Sequence, residues 1–219
     1  MKKIRIVALL MAVAMSAALL TGCGGSIPAK ELVQGNLDAV YLGKYSEEYL
    51  KMVDIDKAQA EKDYESGIET EVEYFAQYFA IDLSMCSDST KEKIADLYRD
   101  IYAKSKYEVG SESSNGDTYL VELTVYPIDI FEKIINEDAD DFDTLWQARV
   151  DDGEFDEMSD AELMEAWTQA IIELVSARIP NIGYLDPQTI SVQVTKNDDE
   201  TYAIDDGDFQ RIDSLIIQY

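Results

Sequence analysis

Histidine is absent from this 219-residue sequence, and its absence excludes much familiar enzyme chemistry. Without an imidazole there is no Ser-His-Asp triad, no Cys-His pair and no histidine-ligated metal. Basic residues are also scarce, since 18 Lys and Arg stand against 45 Asp and Glu, giving a formal charge of −27. Such a charge repels phosphate backbones, so nucleic acid is excluded as a partner. The sequence also lacks a glycine-rich phosphate loop, a CxxC motif and internal repeats.

The N-terminus has the layout of an export signal. Residues 1–5 are basic, and residues 6–20 form a 15-residue apolar run interrupted by Ser16. This run is shorter than the roughly 20 residues of a membrane-spanning helix but suits the apolar region of a signal peptide. It ends in Leu20-Thr21-Gly22-Cys23.

These four residues resemble the lipobox of bacterial lipoproteins, in which an aliphatic residue, a small residue and Gly or Ala precede a cysteine. The resemblance implies that a diacylglyceryl group is attached to the Cys23 thiol and that the leader is cut before it. We therefore predict a signal peptide over residues 1–22, a lipidated cysteine and short tether over 23–29, and a single domain over 30–219. The mature charge becomes −30, and the expected location is the extracytoplasmic face of the cell membrane.

Only two cysteines are present. If Cys23 carries lipid, Cys86 is the one free thiol and no intramolecular disulfide can form. Cys86 lies between two helical patterns, where we expect a small buried apolar residue rather than a nucleophile.

Three helices are predicted before any strong strand signal. The first starts at Pro28 and ends near Leu42-Gly43, and Ser46 caps a short turn after it. Asp56 caps a long second helix, and Ser89 to Glu92 reads as a capping box that opens the third. The long helix carries an apolar stripe at helical spacing: Tyr64, Ile68, Val72, Phe75 and Phe79.

The apolar period then changes to two, which predicts strands over residues 106–109 and 118–126, with a loop over 110–117 that contains an Asn115-Gly116 turn. A second hairpin is predicted from residues 190–195, a turn over 197–200 and a return strand at 202–204. Asp206 is predicted to cap a terminal helix.

A helical insert over residues 128–179 separates the two predicted hairpins. Its central part, residues 137–165, has 13 acidic side chains and Arg149 as its one base. Leu145, Trp146 and Val150 give this part weak helical patterning, and Ser159 to Glu162 forms a second capping box.

The predicted class is α+β, with three N-terminal helices, an antiparallel sheet of about four strands in two hairpins, and a helical insert between the hairpins. From Pro28 to Ile204 this order of elements resembles the NTF2-like (cystatin-like) lipoprotein domains of Gram-positive bacteria. The resemblance implies a cavity between a curved sheet and the helices.

Two chemical hypotheses follow from the many carboxylates. Asp152 to Asp156 resembles the start of a calcium loop, but Glu157 stands where glycine is needed and Leu163 where a bidentate Glu is needed. Paired carboxylates would allow a cell-wall hydrolase, although 45 acids offer many pairs and no motif selects one.

Binding is the third hypothesis and the one that the composition favours. The acidic charge fits a cationic peptide or protein. Tyr41, Tyr45 and Tyr49 recur every four residues near the tether, and we expect them to pack in the core or at its rim rather than to bind a partner. We predict a non-catalytic binding or assembly module with no cofactor and no catalytic or metal-binding residue. The alternatives are a small-ligand or calcium-binding lipoprotein and, after these, a carboxylate hydrolase. The sequence leaves the oligomeric state open.

Overall fold

The computed structural model describes residues 28–196 and 202–218. The predicted signal peptide, Cys23, most of the tether and the turn at 197–200 lie outside these residues. None of the described helices combines the length and the apolar content that crossing a membrane requires.

The N-terminal part is helical, as the sequence predicts. The helices are α1 (Ala29–Leu42), the short α2 (Glu47–Met52), α3 (Lys57–Tyr78) and α4 (Asp88–Tyr102). Ser46 and Asp56 cap α2 and α3 as predicted. The stripe on α3 faces inward, since Ile68, Val72 and Phe75 are buried and Tyr64 and Phe79 are half-buried.

The predicted start of α4 is wrong by two residues. Ser87, not Ser89, is the N-cap, and its side chain accepts a hydrogen bond from the Thr90 backbone N–H. Ser87 also donates its own backbone N–H to the Glu165 carboxylate at 3.1 Å. A glutamate distant in sequence thus performs the task that a capping box gives to the residue three positions on.

Four strands form one antiparallel sheet in the order β1-β2-β3-β4. They are β1 (Lys106–Asn115), β2 (Thr118–Tyr126), β3 (Gln188–Lys196) and β4 (Tyr202–Ile204). The predicted loop at 110–117 is wrong, because β1 continues through it to Asn115. Val109 pairs with Leu123 and Glu112 with Val121, so a bulge at residues 110–111 absorbs the extra residue.

The helical insert lies between β2 and β3, as predicted. It contains α5 (Ile130–Lys133), a π-helical segment (Ile134–Asp138), α6 (Ala139–Asp151) and α7 (Asp160–Arg178). Ser159 and Glu162 form the predicted capping box at the start of α7. The last helix, α8 (Asp206–Ile216), is capped by Asp205 rather than by Asp206, because the Asp205 carboxylate accepts from the N–H groups of residues 207 and 208.

The main core lies between one face of the sheet and the helices. Alternate residues of β2 and β3 point into it, and all are at most 5% exposed: Tyr119, Val121, Leu123, Val125, Ile190, Val192 and Val194. The helices α1 and α8 contact this face, and α3 and α4 pack on α1. The opposite face is polar, with Thr124 bonded to Thr189. The predicted α+β class is confirmed, and the NTF2-like resemblance remains a prediction.

Candidate functional site

A group of tyrosines and carboxylates is buried where the helices meet. Tyr102 donates to Glu71 at 2.6 Å, and Tyr41 donates to Asp213 at 3.2 Å. The two tyrosine rings meet edge to face with their centroids 5.3 Å apart. Because α1, α3, α4 and α8 each supply one member, these contacts fix the helices relative to one another.

Burial sets the protonation of this group. It raises the pKa of Asp213, although the hydrogen bond from Tyr41 opposes that shift. Burial and the nearby Asp213 carboxylate raise the pKa of Tyr41 well above its ordinary value. A carboxyl with a raised pKa is what the hydrolase hypothesis requires. The hydrogen bond that the Asp213 carboxylate accepts, however, comes from Tyr41 of the protein itself and not from a substrate. The pair is therefore explained as a buried polar group whose hydrogen bond is satisfied within the core.

The three tyrosines at intervals of four near the tether pack in or against the core. Tyr41 and Tyr49 are buried, and Tyr45 packs half-buried against the same core. Burial raises the pKa of Tyr45 and of Tyr49 to about 12. Core packing, which the sequence favoured, is confirmed for Tyr41 and Tyr49, which present little surface to a partner.

Cys86 is a buried free thiol, as predicted. Its sulfur lies 3.5 Å from the Asp82 carbonyl oxygen and 3.5 Å from the Thr168 hydroxyl. It therefore packs between Asp82, which precedes the short helical turn 83–85, and the middle of α7.

In the segment that resembles a calcium loop, Asp152 to Asp156, the Glu154 carboxylate binds an arginine. Glu154 accepts two hydrogen bonds from Arg149, at 2.6 and 2.8 Å. These bonds lower the pKa of Glu154. Across residues 28–196 and 202–218, no group of three or more potential ligands is arranged to hold a metal ion.

Residues 134–165 form an exposed acidic segment, which we call the acidic arm. It comprises the π-helical segment, α6, the turn that follows and the start of α7. The arm has 13 carboxylates and Arg149 as its one base, and Glu154 neutralises that base. None of the 13 residues of α6 is buried. The helix α6 therefore adds no buried residue to the main core, whereas Ile134 at the start of the arm is buried in it.

An aromatic cluster holds α6 against α7. The Trp146 ring stacks on Phe155 with centroids 4.8 Å apart, and it meets Trp167 edge-on at 5.0 Å. Phe142 lies 5.6 Å from Trp167, and the Arg149 guanidinium lies 5.1 Å from the Trp146 centroid. Leu145 and Val150, which the sequence placed in the helical pattern with Trp146, are exposed instead.

Ion pairs join the start of the helical insert to the end of α7. Arg178, in the last turn of α7, pairs with Glu137 at 2.8 Å and also with Asp138. The hydrogen bonds to Asp138 and Glu137 raise the pKa of Arg178. The beginning of the insert is thus joined to its end.

Glu165 connects the arm to the body of the domain. Its carboxylate accepts from the Ser87 hydroxyl at 3.1 Å and also from the Thr90 hydroxyl. Burial raises the pKa of Glu165, but these hydrogen bonds outweigh it and the net shift is downward. Sequence reasoning missed this residue because no local pattern relates it to α4.

Comparison with known proteins gives a family and one related fold. The sequence model of a family described as a domain of unknown function (DUF5105) matches residues 27–217. A crystal structure from Bacillus subtilis subsp. subtilis str. 168, described as a "putative lipoprotein (ycdA)", superposes with a TM-score of 0.58 at 16% sequence identity. The match covers 87% of this chain and 56% of that one, so the present chain spans little more than half of its relative. A search of curated proteins finds no match.

Proposed function

The chain belongs to the DUF5105 family of domains of unknown function, and from that premise we propose that it is a membrane-anchored extracytoplasmic lipoprotein. The observation that carries this proposal is the Leu20-Thr21-Gly22-Cys23 sequence directly after the apolar run. A description as a lipoprotein also accompanies the B. subtilis structure with the related fold, which supports the proposal.

The proposed anchor is lipid on Cys23. One acyl chain binds a bilayer only marginally, whereas two chains, at about 0.8 kcal/mol per buried methylene, hold a soluble domain stably. Since α1 begins at Ala29, five residues separate the lipidated cysteine from the first helix. A tether of that size, at about 3.5 Å per residue, keeps the domain within roughly 20 Å of the membrane.

Mass spectrometry of the protein from its native membrane tests the anchor. We expect an N-terminal peptide that begins at Cys23 and carries diacylglycerol, and a Cys23→Ser variant that keeps its leader and lacks lipid. Protease added outside intact cells should digest the domain. A bare Cys23 thiol in the mature protein would overturn the proposal, and protection of the domain in intact cells would overturn the extracytoplasmic location.

We further propose that the domain is a non-catalytic binding or assembly module whose partner is cationic. The contrast between its two sets of carboxylates supports this. Glu71 and Asp213 accept hydrogen bonds from tyrosines in the interior, whereas the acidic arm exposes most of its charge to solvent. Binding to such a surface should weaken steeply as salt increases, because the attraction is between charges. Affinity that does not change between about 50 and 500 mM salt would refute the cationic partner.

A further inference from the structure

Exposed apolar side chains are concentrated on the acidic arm. Eight large apolar side chains are exposed in residues 28–196 and 202–218, and five of the eight belong to the arm: Ile135, Leu145, Val150, Met158 and Leu163. Leu145 is the most exposed of the eight, at 68%. A further member, Met85, lies in the short helical turn that contacts α7. Single exposed apolar residues are ordinary, and it is their concentration in this one segment of the chain that we take as the mark of an interaction surface.

The packing of the arm explains why these side chains remain uncovered. The aromatic cluster takes the inward face of α6, where Trp146 meets Phe155 and Trp167. Leu145 is next to Trp146 in sequence and is therefore turned by about 100° around the helix. Nothing in the described part of the chain covers it.

Methionine makes this surface adaptable. Met158 is exposed just before the first turn of α7, whereas Met164 packs against the core and its sulfur accepts a hydrogen bond from the Asp82 N–H at 3.4 Å. Met85 lies on the neighbouring helical turn. Unbranched, polarisable methionine side chains adjust to the shape of an apolar partner, which is why they are frequent on surfaces that bind helices.

The negative charge of the arm indicates which kind of partner would bind to it. The arm places exposed apolar side chains among 13 carboxylates, with its one base already paired. The complementary ligand has an apolar stripe flanked by Lys and Arg, which is the pattern of a basic amphipathic helix. A second copy of this chain is a poor occupant because each copy carries a formal charge of −27. We propose that the acidic arm is the docking surface for a basic amphipathic helix of a partner protein; this deepens the cationic-partner part of the proposed function and rests on it.

Intrinsic fluorescence offers a readout confined to the arm and its immediate support. The two tryptophans of the whole chain are Trp146 and Trp167, and both belong to the aromatic cluster. The lipidated protein is placed in nanodiscs of zwitterionic lipid and titrated with a tryptophan-free 18-residue peptide of Leu and Lys, with Leu at helical spacing. The matched peptide has the same composition in an order without an apolar face. Empty nanodiscs supply the blank.

We expect a saturable change in tryptophan emission, with the helical peptide binding at least about tenfold tighter than the matched peptide. Replacement of Leu145 and Leu163 by Ser should weaken binding of the helical peptide about tenfold or more, since each loses apolar contact. Leu120→Ser is the matched control, because Leu120 is 45% exposed on the polar face of the sheet; its affinity should equal that of the wild type. Asp143→Asn with Glu157→Gln should reduce the salt dependence of binding.

Equal binding of the two peptides would overturn the helix-docking proposal while the cationic partner stands. A loss in Leu120→Ser as large as that in the arm variant would place binding elsewhere and overturn it too. Self-association that the Leu145/Leu163 variant abolishes, measured by sedimentation in detergent, would make a second copy the occupant. A change in tryptophan emission on moving to anionic nanodiscs without peptide would make the bilayer the occupant. If neither peptide binds, the proposal and the cationic partner both fail, while the mass of the Cys23 peptide still decides the lipid anchor.

Discussion

Removal of the Trp146 ring should release α6 without unfolding the domain. In Trp146→Ala the stacking on Phe155, the edge contact with Trp167 and the cation–π contact with Arg149 are all lost. Each aromatic pair is worth about 0.5–1.5 kcal/mol beyond its buried area, and an exposed cation–π contact about 0.5–1 kcal/mol. The opening free energy of α6 should therefore fall by about 1.5–4 kcal/mol.

The effect should stay local because α6 has no buried residue. The strands β2 and β3 keep their packing through residues such as Val121 and Val192, which are fully buried. Opening of α6 should become at least about tenfold more frequent, while the global free energy of unfolding changes less.

Native-state hydrogen exchange measures both quantities in one experiment. Protection of the α6 amides should fall, and that of the β2 amides should be preserved. The emission of Trp167, then the sole tryptophan, should shift to the red as its ring gains water. Leu145→Ala is the matched control, because that side chain is 68% exposed, and we expect a change below about 0.5 kcal/mol. Unchanged α6 protection in Trp146→Ala, or an equal loss in β2, would refute the reasoning.

Three further predictions concern the body of the domain. Glu165→Ala should lower the free energy of unfolding by about 1–3 kcal/mol, because the Ser87 N–H loses a charged acceptor; an unchanged urea midpoint would contradict this. Burial raises the folded-state pKa of Asp213 above the ordinary 3.8, so the protonated carboxyl stabilises the fold at low pH and this stabilisation is lost as the pH rises through the folded pKa. The difference in unfolding free energy between Asp213→Asn and the wild type should therefore favour the variant more at pH 7 than at pH 3. Parallel curves of stability against pH for the two proteins would refute the assignment. Gly43→Ala should lower the free energy of unfolding by about 1 kcal/mol, because Gly43 has φ +59°. Gly67→Ala, inside α3 with nothing within 4 Å of its added Cβ, should raise it by up to about 1 kcal/mol. Thermal unfolding that shifts in the same direction for both variants would contradict the backbone argument.

Regular apolar spacing made most of the fold predictable. The stripe on α3 and the alternation in β2 each reflect a repeating geometry, and Ile68 and Val121 are buried as the patterns require. The outer half of β1 has no such pattern, since it consists of Gly, Ser, Glu and Asn. It is a strand because β2 pairs with it, and pairing can override weak strand propensity.

The cap of α4 shows a second limit. Ser89 satisfies the local capping rule because Glu92 lies three residues on, yet Ser87 is the N-cap. Glu165 supplies the missing acceptor from α7. A tertiary contact of this kind leaves no local trace in the sequence.

The sequence predicted the acidic composition of the arm but not which of its side chains are exposed. The charge of the arm could be counted from the sequence. Whether Trp146 or Leu145 points inward could not be decided, because that depends on where Trp167 lies. The structure places the two tryptophans together and leaves Leu145 exposed. Helical spacing alone does not reveal which side of a weakly patterned helix packs.

The position of the insert has a consequence for how the chain folds. A two-residue turn joins β1 to β2, whereas residues 127–187 separate β2 from β3. Closing a loop of about 60 residues rather than two costs about 3 kcal/mol more in chain entropy, so the β1–β2 hairpin should form well before β3 arrives. During that interval the edge of β2, which carries Val121 and Val125, is open to other chains, so the polypeptide is most vulnerable to aggregation until residues 188–196 arrive and pair with it as β3.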